Sequence, residues 1–305
     1  ASPDAVAALR EALKKAEPLR SAAAAACLVA ADTMLAANKA ADAEALFDAV
    51  RKAEAPQYMH MAALTGAMRA QGAAAMPLLA ECLKSDNQAE FRVGLQMAHK
   101  LGGPKVAGLV MDLVELPAPV ETPKEGTVIH KAEYGAGDRW ADVTAAATAA
   151  AASGQPIVAS NTLAGDPAPG VVKSLRIVYS KDGEKTSVEL AEGKELVLEG
   201  VVAGPQYPRQ VTLIRVLGDL GEKTALPVVL KAAKCDAADI RQAAIVVLGG
   251  LGDASAVTVL LDAAADGSLA AKQSLIDLQG EGVNAALAGA LAGAEGAKRI
   301  VLLQL

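Results

Sequence analysis

Aromatic residues are scarce in this sequence: they account for 2% of its 305 residues and include one tryptophan. Hydrophobic residues still make up 52% of the chain, and most of them are alanine, leucine and valine. This composition predicts closely packed helices with small side chains at their contacts. An excess of basic residues is also missing, since the net charge is −6. Nucleic-acid binders usually present a basic face, so the composition argues against that class of function.

Cysteine and histidine are too few and too widely spaced to indicate a metal centre. No pair of the three cysteines has metal-ligand spacing, and their odd number leaves at least one unpaired. His60, His99 and His130 form neither a His-x-x-x-His nor a His-Glu pair. The nucleophile turn Gly-x-Ser-x-Gly and the phosphate loop Gly-x-x-x-x-Gly-Lys-Ser/Thr are missing as well. We therefore expect no metal, no cofactor and no catalytic residue, and hence no enzyme.

Long hydrophobic runs are also missing. The most apolar stretch, Ala22 to Ala31, is too short to cross a bilayer and is followed directly by Asp32, so we expect no membrane span. The chain begins Ala-Ser-Pro-Asp, without Met. This end indicates either the removal of a signal peptide or a cloning boundary. The first interpretation predicts a periplasmic or exported protein, and the second leaves a cytoplasmic location open.

What the sequence does contain is a repeat of helix–turn–helix units. Gly72 and Gly103 are 31 residues apart, and so are Gly221 and Gly252. A degenerate third copy follows from Leu275. Glycine suits a helix C-terminus and the prolines that follow suit a helix start, so each unit is predicted to be a helical hairpin. A period near 30 predicts a solenoid in which each unit buries its apolar face against its neighbours.

These units resemble HEAT repeats. The resemblance is carried by LGDLGEKTALPVVL (217–230), DIRQAA (239–244) and LGGLGDASAV (248–257). It covers 56–116 and 209–305, while MLAANKAADAEALF (34–47) resembles a tetratricopeptide-type hairpin. The resemblance implies a mainly α fold, a right-handed α-solenoid of HEAT-like hairpins, and a surface that binds protein partners.

The helical rhythm stops between Leu116 and Arg209, where the pattern changes to period two. Strands are predicted over 128–134, 171–179, 186–190 and 195–198, with a hairpin turn at 181–184. Removing 121–208 would leave an ordinary inter-helix turn, so this segment is predicted to be a small β-rich (α+β) domain inserted into the solenoid. The predicted organisation is 1–55 tetratricopeptide-like hairpins, 56–120 HEAT-like repeats, 121–208 inserted domain and 209–305 HEAT-like repeats.

The inserted segment contains the residues YGAGDRWADVT (134–144), then Ser160-Asn161 and GDPAPGVVKSL (165–175). This segment is similar to the C-terminal domain of a group of DnaJ-type proteins. Its combination with tetratricopeptide-like and HEAT units resembles large exported proteins of planctomycete-type bacteria. The resemblance implies no catalytic residue.

Trp140 lies at the centre of the one candidate binding site. In the functional interpretation its ring stacks on a sugar or other small ligand, while polar side chains provide hydrogen bonds. The candidate residues are Asp138, Arg139, Trp140, Asp142, Asn161 and Asp166. In the structural interpretation Trp140 is instead the core aromatic of a small domain, and the polar residues satisfy loop backbone groups. A calcium site formed by Asp138, Asp142 and Asp166 is a third interpretation.

The sequence therefore predicts a non-catalytic scaffold that binds a protein partner, with neither a nucleic-acid nor a membrane-spanning role. The alternative is an accessory protein that binds a carbohydrate or small ligand near Trp140. The last segment, Ala297 to Leu305, reads as an apolar helix without a polar cap. Terminal repeats normally present a polar outer face. This segment is thus expected to pack on another chain or to continue into a longer protein.

Overall fold

The computed structural model describes residues 3–118, 126–137, 139–163, 165–201, 207–266 and 268–305. Two compact units are present, Ala1–Leu113 and Val114–Leu305. The first unit is helical, and the second combines a small antiparallel sheet with further helices. The division of the chain into four segments, made from the sequence, is not tested by these two units and stays a prediction.

Helical hairpins build the first unit, as the glycine and proline pattern predicts. Asn38 has a positive φ of 59° in the turn that joins the second and third helices. Pro77 lies in the first turn of the fifth helix, where no backbone N–H is needed. The helices are α1 (Pro3–Ala12), α2 (Leu19–Ala36), α3 (Ala40–Lys52), α4 (Gln57–Gln71), α5 (Met76–Lys84), α6 (Gln88–Leu101) and α7 (Gly103–Leu113).

The expectation that no apolar stretch is long enough for a membrane needs correction at α2. This helix has 18 residues and is long and apolar enough to cross a membrane, by length and composition. The sequence argument counted only the uncharged run and omitted Arg20 and the residues after Ala31. In the structure Arg20 pairs with Glu54 at 2.5 Å and Asp32 pairs with Arg69 at 3.1 Å. Because α2 also packs against α1, α3 and α4, it is a packed helix of the first unit.

Helical pairs also make up the larger part of the second unit. Gly218 permits close packing of the first and third of these helices, since a Cβ at this position would lie 2.8 Å from Val247 Cγ2. Gly249 likewise faces Ser274, whose Oγ donates a hydrogen bond of 2.9 Å to Ile245 O. The helices are α9 (Pro208–Leu220), α10 (Leu226–Ala232), α11 (Ala238–Leu251), α12 (Val257–Ala265), α13 (Leu269–Asp277), α14 (Val283–Gly293) and α15 (Gly296–Leu303), and α8 (Thr144–Ala152) belongs to the sheet region.

The sheet region lies between α7 and α9 and contains more strands than the sequence predicts. Its four-stranded antiparallel sheet has the order β2-β1-β4-β5, and β3 pairs with β6. The strands are β1 (Thr127–Ala136), β2 (Arg139–Asp142), β3 (Ile157–Val158), β4 (Ser174–Lys181), β5 (Glu184–Ala191) and β6 (Glu195–Leu196). The predicted hairpin turn is confirmed, with positive φ at Asp182 and Gly183.

Three differences from the predicted strands have physical causes. β2 and β3 are only four and two residues long, too short for period-two alternation to reveal them. β4 begins at Ser174 rather than at Val171, because Lys173 is turned into the protein while Val171 and Val172 stay exposed. The predicted strand 195–198 ends at Leu196, where pairing with β3 stops.

One face of the four-stranded sheet forms a core of its own. Tyr134 is completely buried there, and α8 packs against β1. The members of this core are Ile129, Ala132, Tyr134, Val143, Ala147, Ala151, Ile157, Ala159, Leu175 and Ile177. The chain enters and leaves this region at one place, since Glu115 N donates a hydrogen bond of 3.0 Å to Gln210 Oε1.

Candidate functional site

The outer face of the sheet, opposite the core, carries charged and aromatic side chains. Residues directly opposite each other in antiparallel strands point to the same face. Arg176 on β4 is opposite Glu133 on β1, and Trp140 on β2 is opposite Gly135. Lys131, two residues before Glu133, shares their face. Four side chains from three strands thus gather on the side that lacks the Tyr134 core.

An open groove of about 610 Å³ separates this outer face from helices α12, α13 and α15. We call it the sheet–helix groove. Its sheet side is polar and its helix side is largely apolar. The lining residues are Lys131, Glu133, Gly137, Trp140, Arg176, Ala264, Ala265, Asp266, Leu269, Lys272, Ala297, Ile300, Val301 and Gln304.

Trp140 and Arg176 form a stacked pair on the sheet side of the groove. The guanidinium carbon of Arg176 lies 4.0 Å from the centre of the Trp140 ring, which is a cation–π contact. The indole Nε1 donates a hydrogen bond of 2.8 Å to Gly137 O, so the ring plane is held from its edge. Arg176 Nε also donates to Glu189 Oε2 at 3.3 Å. Both side chains are therefore positioned by local contacts.

Glu189 supports the stacked pair from β5. Ser174 Oγ donates a hydrogen bond of 2.7 Å to Glu189 Oε1. This bond and the adjacent Arg176 guanidinium lower the pKa of the Glu189 carboxyl. A charged carboxylate below the guanidinium keeps Arg176 beside Trp140.

The other charged residues of the groove are connected to one another. Lys131 Nζ lies 3.1 Å from Glu133 Oε1 and donates a hydrogen bond to the carbonyl oxygen of Asp266. Asp266 follows the last turn of α12, where the helix dipole favours a cation. Lys272 Nζ donates to the neutral amide oxygen of Gln304 at 3.1 Å. Lys131 is therefore neutralised by an acid, whereas Lys272 has no acidic partner within the described part of the chain.

Five of the six candidate residues are described by the structure, and it does not bring these five together. Trp140 lines the groove, but Asp142 serves the start of α8, where its Oδ1 accepts hydrogen bonds from Thr144 N at 2.9 Å and Thr144 Oγ1 at 2.6 Å. Arg139 is exposed at the start of β2. Asp138 lies outside the described residues. Arg139 directly precedes Trp140 in β2, so its side chain points to the opposite face of the sheet.

Asn161 and Asp166 belong to a second group of side chains, on the face of the sheet that Tyr134 occupies. We call it the Tyr134 cluster. The Tyr134 hydroxyl donates to Glu192 Oε1 at 2.9 Å, and Asn161 Oδ1 lies 3.2 Å from the same hydroxyl oxygen. Lys173, whose side chain is 4% exposed, pairs with Asp166 at 3.1 Å and with Glu192 at 3.5 Å. The predicted site thus divides between the two sides of one sheet.

The ionisation states in the Tyr134 cluster indicate a structural role. Burial and the Glu192 carboxylate raise the pKa of Tyr134 to about 12. A hydrogen bond from the Lys173 backbone and one from the Tyr134 hydroxyl lower the pKa of Glu192. Burial alone would lower the pKa of Lys173, but Asp166 and Glu192 outweigh it and raise the value. The ammonium is therefore held charged and is not a nucleophile.

The interpretation of Trp140 as the core aromatic is wrong, because Tyr134 occupies that place. Trp140 is half-buried and lies outside the core of the sheet region. The calcium interpretation also lacks a cluster: among the described residues no three His, Cys, Asp or Glu side chains gather to hold a metal ion. Asp142 accepts a hydrogen bond from Thr144, and Asp166 forms an ion pair with Lys173, so these two carboxylates have different partners.

Sequence reasoning missed Arg176, Lys131 and Lys173. Arg176 and Lys131 lie in strands that were predicted, on the face opposite the apolar alternation, so the pattern could have placed them beside Trp140 only if the strand order were known. Lys173 gave no signal, because a lysine side chain usually points to solvent.

Comparison with known families gives one match. A family model described as HEAT repeats matches residues 195–277. The matched segment begins at β6 and contains α9 to α13. Among these helices, α9, α11 and α13 stack through Gly218 and Gly249. The match supports HEAT repeats in this part of the chain. Comparison with curated proteins finds no match to the chain.

Proposed function

We propose that this protein is a non-catalytic scaffold that binds another protein through its helical repeats. The observation that carries the proposal is the match of 195–277 to HEAT repeats, which generally mediate protein interactions. The stacking of α9, α11 and α13 in the second unit supports it, because a stack of helices offers an extended surface rather than an enclosed pocket. The handedness of the repeats, an exported location and a bacterial origin are further proposals that come from the sequence.

A row of exposed side chains crosses the three stacked helices and is the surface we assign to the partner. Gly218 packs against Val247, and Gly249 packs against Ser274, which sets the register between neighbouring helices. In this register Arg215, Val246 and Gln273 occupy equivalent positions, and all three are exposed. We call them the exposed row. Val246, on α11, is 58% exposed.

Site-specific photocrosslinking from the exposed row tests the proposal. A benzophenone side chain at Val246, in the full chain within its native cells, is expected to capture one polypeptide in defined yield. The same group at Val172, which is 80% exposed in the loop before β4, is the matched control and should capture less. Arg215→Glu should abolish the capture at Val246. If none of the three row positions gives a discrete product, the scaffold proposal is contradicted.

A second candidate function is the binding of a carbohydrate or another small ligand at Trp140. The half-buried indole in a groove that also contains the amide of Gln304 favours it, since a ring with polar neighbours suits a polyol. Because Trp140 is the single tryptophan of the chain, its fluorescence reports directly on this groove. A glycan array combined with a fluorescence titration tests the candidate, and no response to any sugar would argue against it.

A further inference from the structure

We infer that the sheet–helix groove binds an extended peptide segment of the partner protein, one that carries a carboxylate next to an apolar side chain. The inference rests on the proposed scaffold function and names the kind of segment that the second unit recognises. It is based on the geometry of Arg176, on the balance of charge in the groove and on the exposed apolar surface opposite.

Arg176 is held in position while most of its hydrogen-bonding capacity stays unused. The stack on Trp140 and the bond from Nε to Glu189 orient the guanidinium plane. Across the part of the chain that the structure describes, the two Nη groups of Arg176 donate no hydrogen bond. A planar guanidinium with a fixed orientation binds a carboxylate through two parallel N–H···O bonds, at little cost in side-chain entropy. Arg176 is therefore prepared for a carboxylate ligand.

The remaining charges of the groove also favour an anion. Its lining contains three cations, Lys131, Arg176 and Lys272, against two acids, Glu133 and Asp266. Glu133 is neutralised by Lys131 at 3.1 Å. Lys272 has only the neutral Gln304 amide as its partner among the described residues. Arg176 pairs with Glu189, which lies beside the lining. Lys272 is therefore the cation of the groove that has no acidic partner among the described residues, and the open side of the groove leaves it accessible.

The helix side of the groove offers apolar surface to the rest of the ligand. Ile300 on α15 is 58% exposed, and it lines the groove together with Leu269 and Val301. A volume of about 610 Å³ lies within the range of about 300–1,000 Å³ that is typical of ligand sites. Because the groove is open rather than closed around its contents, a chain can pass through it. An apolar side chain would cover Ile300 while a neighbouring carboxylate reaches Arg176.

The Trp140–Arg176 stack favours a peptide over a sugar. A sugar ring stacks on an uncovered aromatic face. Arg176 already covers one face of Trp140 at 4.0 Å, and most residues on the helix side of the groove are apolar. The indole therefore serves to position the guanidinium, and Trp140 is a positioning residue for Arg176.

Selection from a random library of displayed dodecapeptides, with the full chain as bait, tests this inference. We expect enriched sequences in which Asp or Glu is adjacent to Leu, Ile or Phe. A synthetic copy of the best sequence should change the fluorescence of Trp140 when it binds. Its Glu→Gln or Asp→Gln version should bind the unchanged protein about tenfold more weakly or worse, since it loses a charge-assisted pair.

Variants of the full chain complete the test. Arg176→Gln and Lys272→Gln should each weaken binding of the peptide. Arg176→Lys should bind with an affinity between those of Arg176→Gln and the unchanged protein, because lysine keeps the charge but cannot form the two parallel hydrogen bonds of a guanidinium. Lys185→Gln, an exposed lysine of β5 outside the groove, is the matched control and should bind as before. If Arg176→Gln fails to fold, the binding of the Lys272→Gln variant and of the peptide with its Asp or Glu replaced by Gln decides whether the groove recognises a carboxylate. No enrichment, or equal binding by these variants, overturns the inference, as does a glycan response without peptide enrichment. Crosslinking from Val246 that persists beside such a failure would leave the scaffold proposal intact.

Discussion

Lys131 on β1 donates a hydrogen bond to the carbonyl oxygen of Asp266, at the end of α12. The two residues are 135 positions apart in the chain. The same ammonium pairs with Glu133 on the outer face of the sheet. Lys131 therefore connects the sheet region to the helical repeats of the second unit. Both Lys131 and Asp266 line the sheet–helix groove.

The fragment 121–208 provides the first prediction. Its core, centred on Tyr134, is formed by residues of this segment alone, so the fragment should fold with a β-rich circular dichroism spectrum. It lacks α12, α13 and α15, so Trp140 should be more exposed and its fluorescence emission should shift to longer wavelength than in the full chain. An unfolded spectrum for the fragment would contradict the prediction that it is an inserted domain.

Tyr134→Phe should lower the free energy of unfolding by about 1.5–3 kcal/mol, because the hydroxyl donates to a charged carboxylate in a buried site. Tyr179→Phe on β4 is the matched control, since the structure gives its hydroxyl no hydrogen bond among the described residues. Urea denaturation measures both variants. Equal effects of the two changes would show that the hydroxyl of Tyr134 adds nothing.

Glu192→Gln should reduce the sensitivity of the fold to acid. The pKa of Glu192 is lowered from 4.5 by hydrogen bonds from the Lys173 backbone and from Tyr134. A carboxyl group with a lowered pKa stabilises the folded state above its unfolded pKa, and this contribution is lost as the pH falls through the folded value.

Melting temperatures measured between about pH 6 and about pH 3 test this prediction. The unchanged protein should lose more stability across this range than the Glu192→Gln variant does. Glu184→Gln, an exposed carboxylate of the β4–β5 turn, should follow the unchanged protein. Parallel curves for all three proteins would mean that Glu192 is not the source of the acid sensitivity.

Two adjacent glycines of α11 allow a matched test of the repeat stacking. A Cβ on Gly249 would lie 3.0 Å from Ser274 Cα on α13, whereas a Cβ on Gly250 would meet nothing within 4 Å. Gly250→Ala should therefore stabilise the protein by up to about 1 kcal/mol, the usual gain in a helix. Gly249→Ala should be less stable than Gly250→Ala by about 1–3 kcal/mol, because it separates α11 from α13. Thermal melts of both variants decide, and an equal gain would contradict the close packing.

The helical repeats could be predicted from the sequence because their signals are local. Glycine at helix ends and proline in first turns recur at a regular period along the chain. Each ends or begins a helix through its own backbone geometry. The β4–β5 turn is of the same kind, since Asp182 and Gly183 tolerate the positive φ that it requires. Such features need no knowledge of what lies elsewhere in the chain.

The candidate site could not be assembled in the same way. Alternation along β1 indicates that Lys131 and Glu133 share a face, but it does not indicate what covers that face. Trp140 was identified as the residue to examine, whereas its stack with Arg176 depends on the order of β2, β1 and β4. Proximity in sequence grouped Asn161 with Trp140, and the pleat of the sheet separates them.

The range of an interaction along the chain decides whether it can be predicted from the sequence or only observed in the tertiary structure. Turn chemistry and helix periodicity act over a few residues. The sequence alone therefore predicts the helical repeats, the ends of their helices and the β-rich segment that interrupts them. The groove depends on contacts between residues more than 100 positions apart, such as Lys131 and Asp266. Those contacts exist only after the sheet has paired and the helices have stacked, because only packing determines which faces meet.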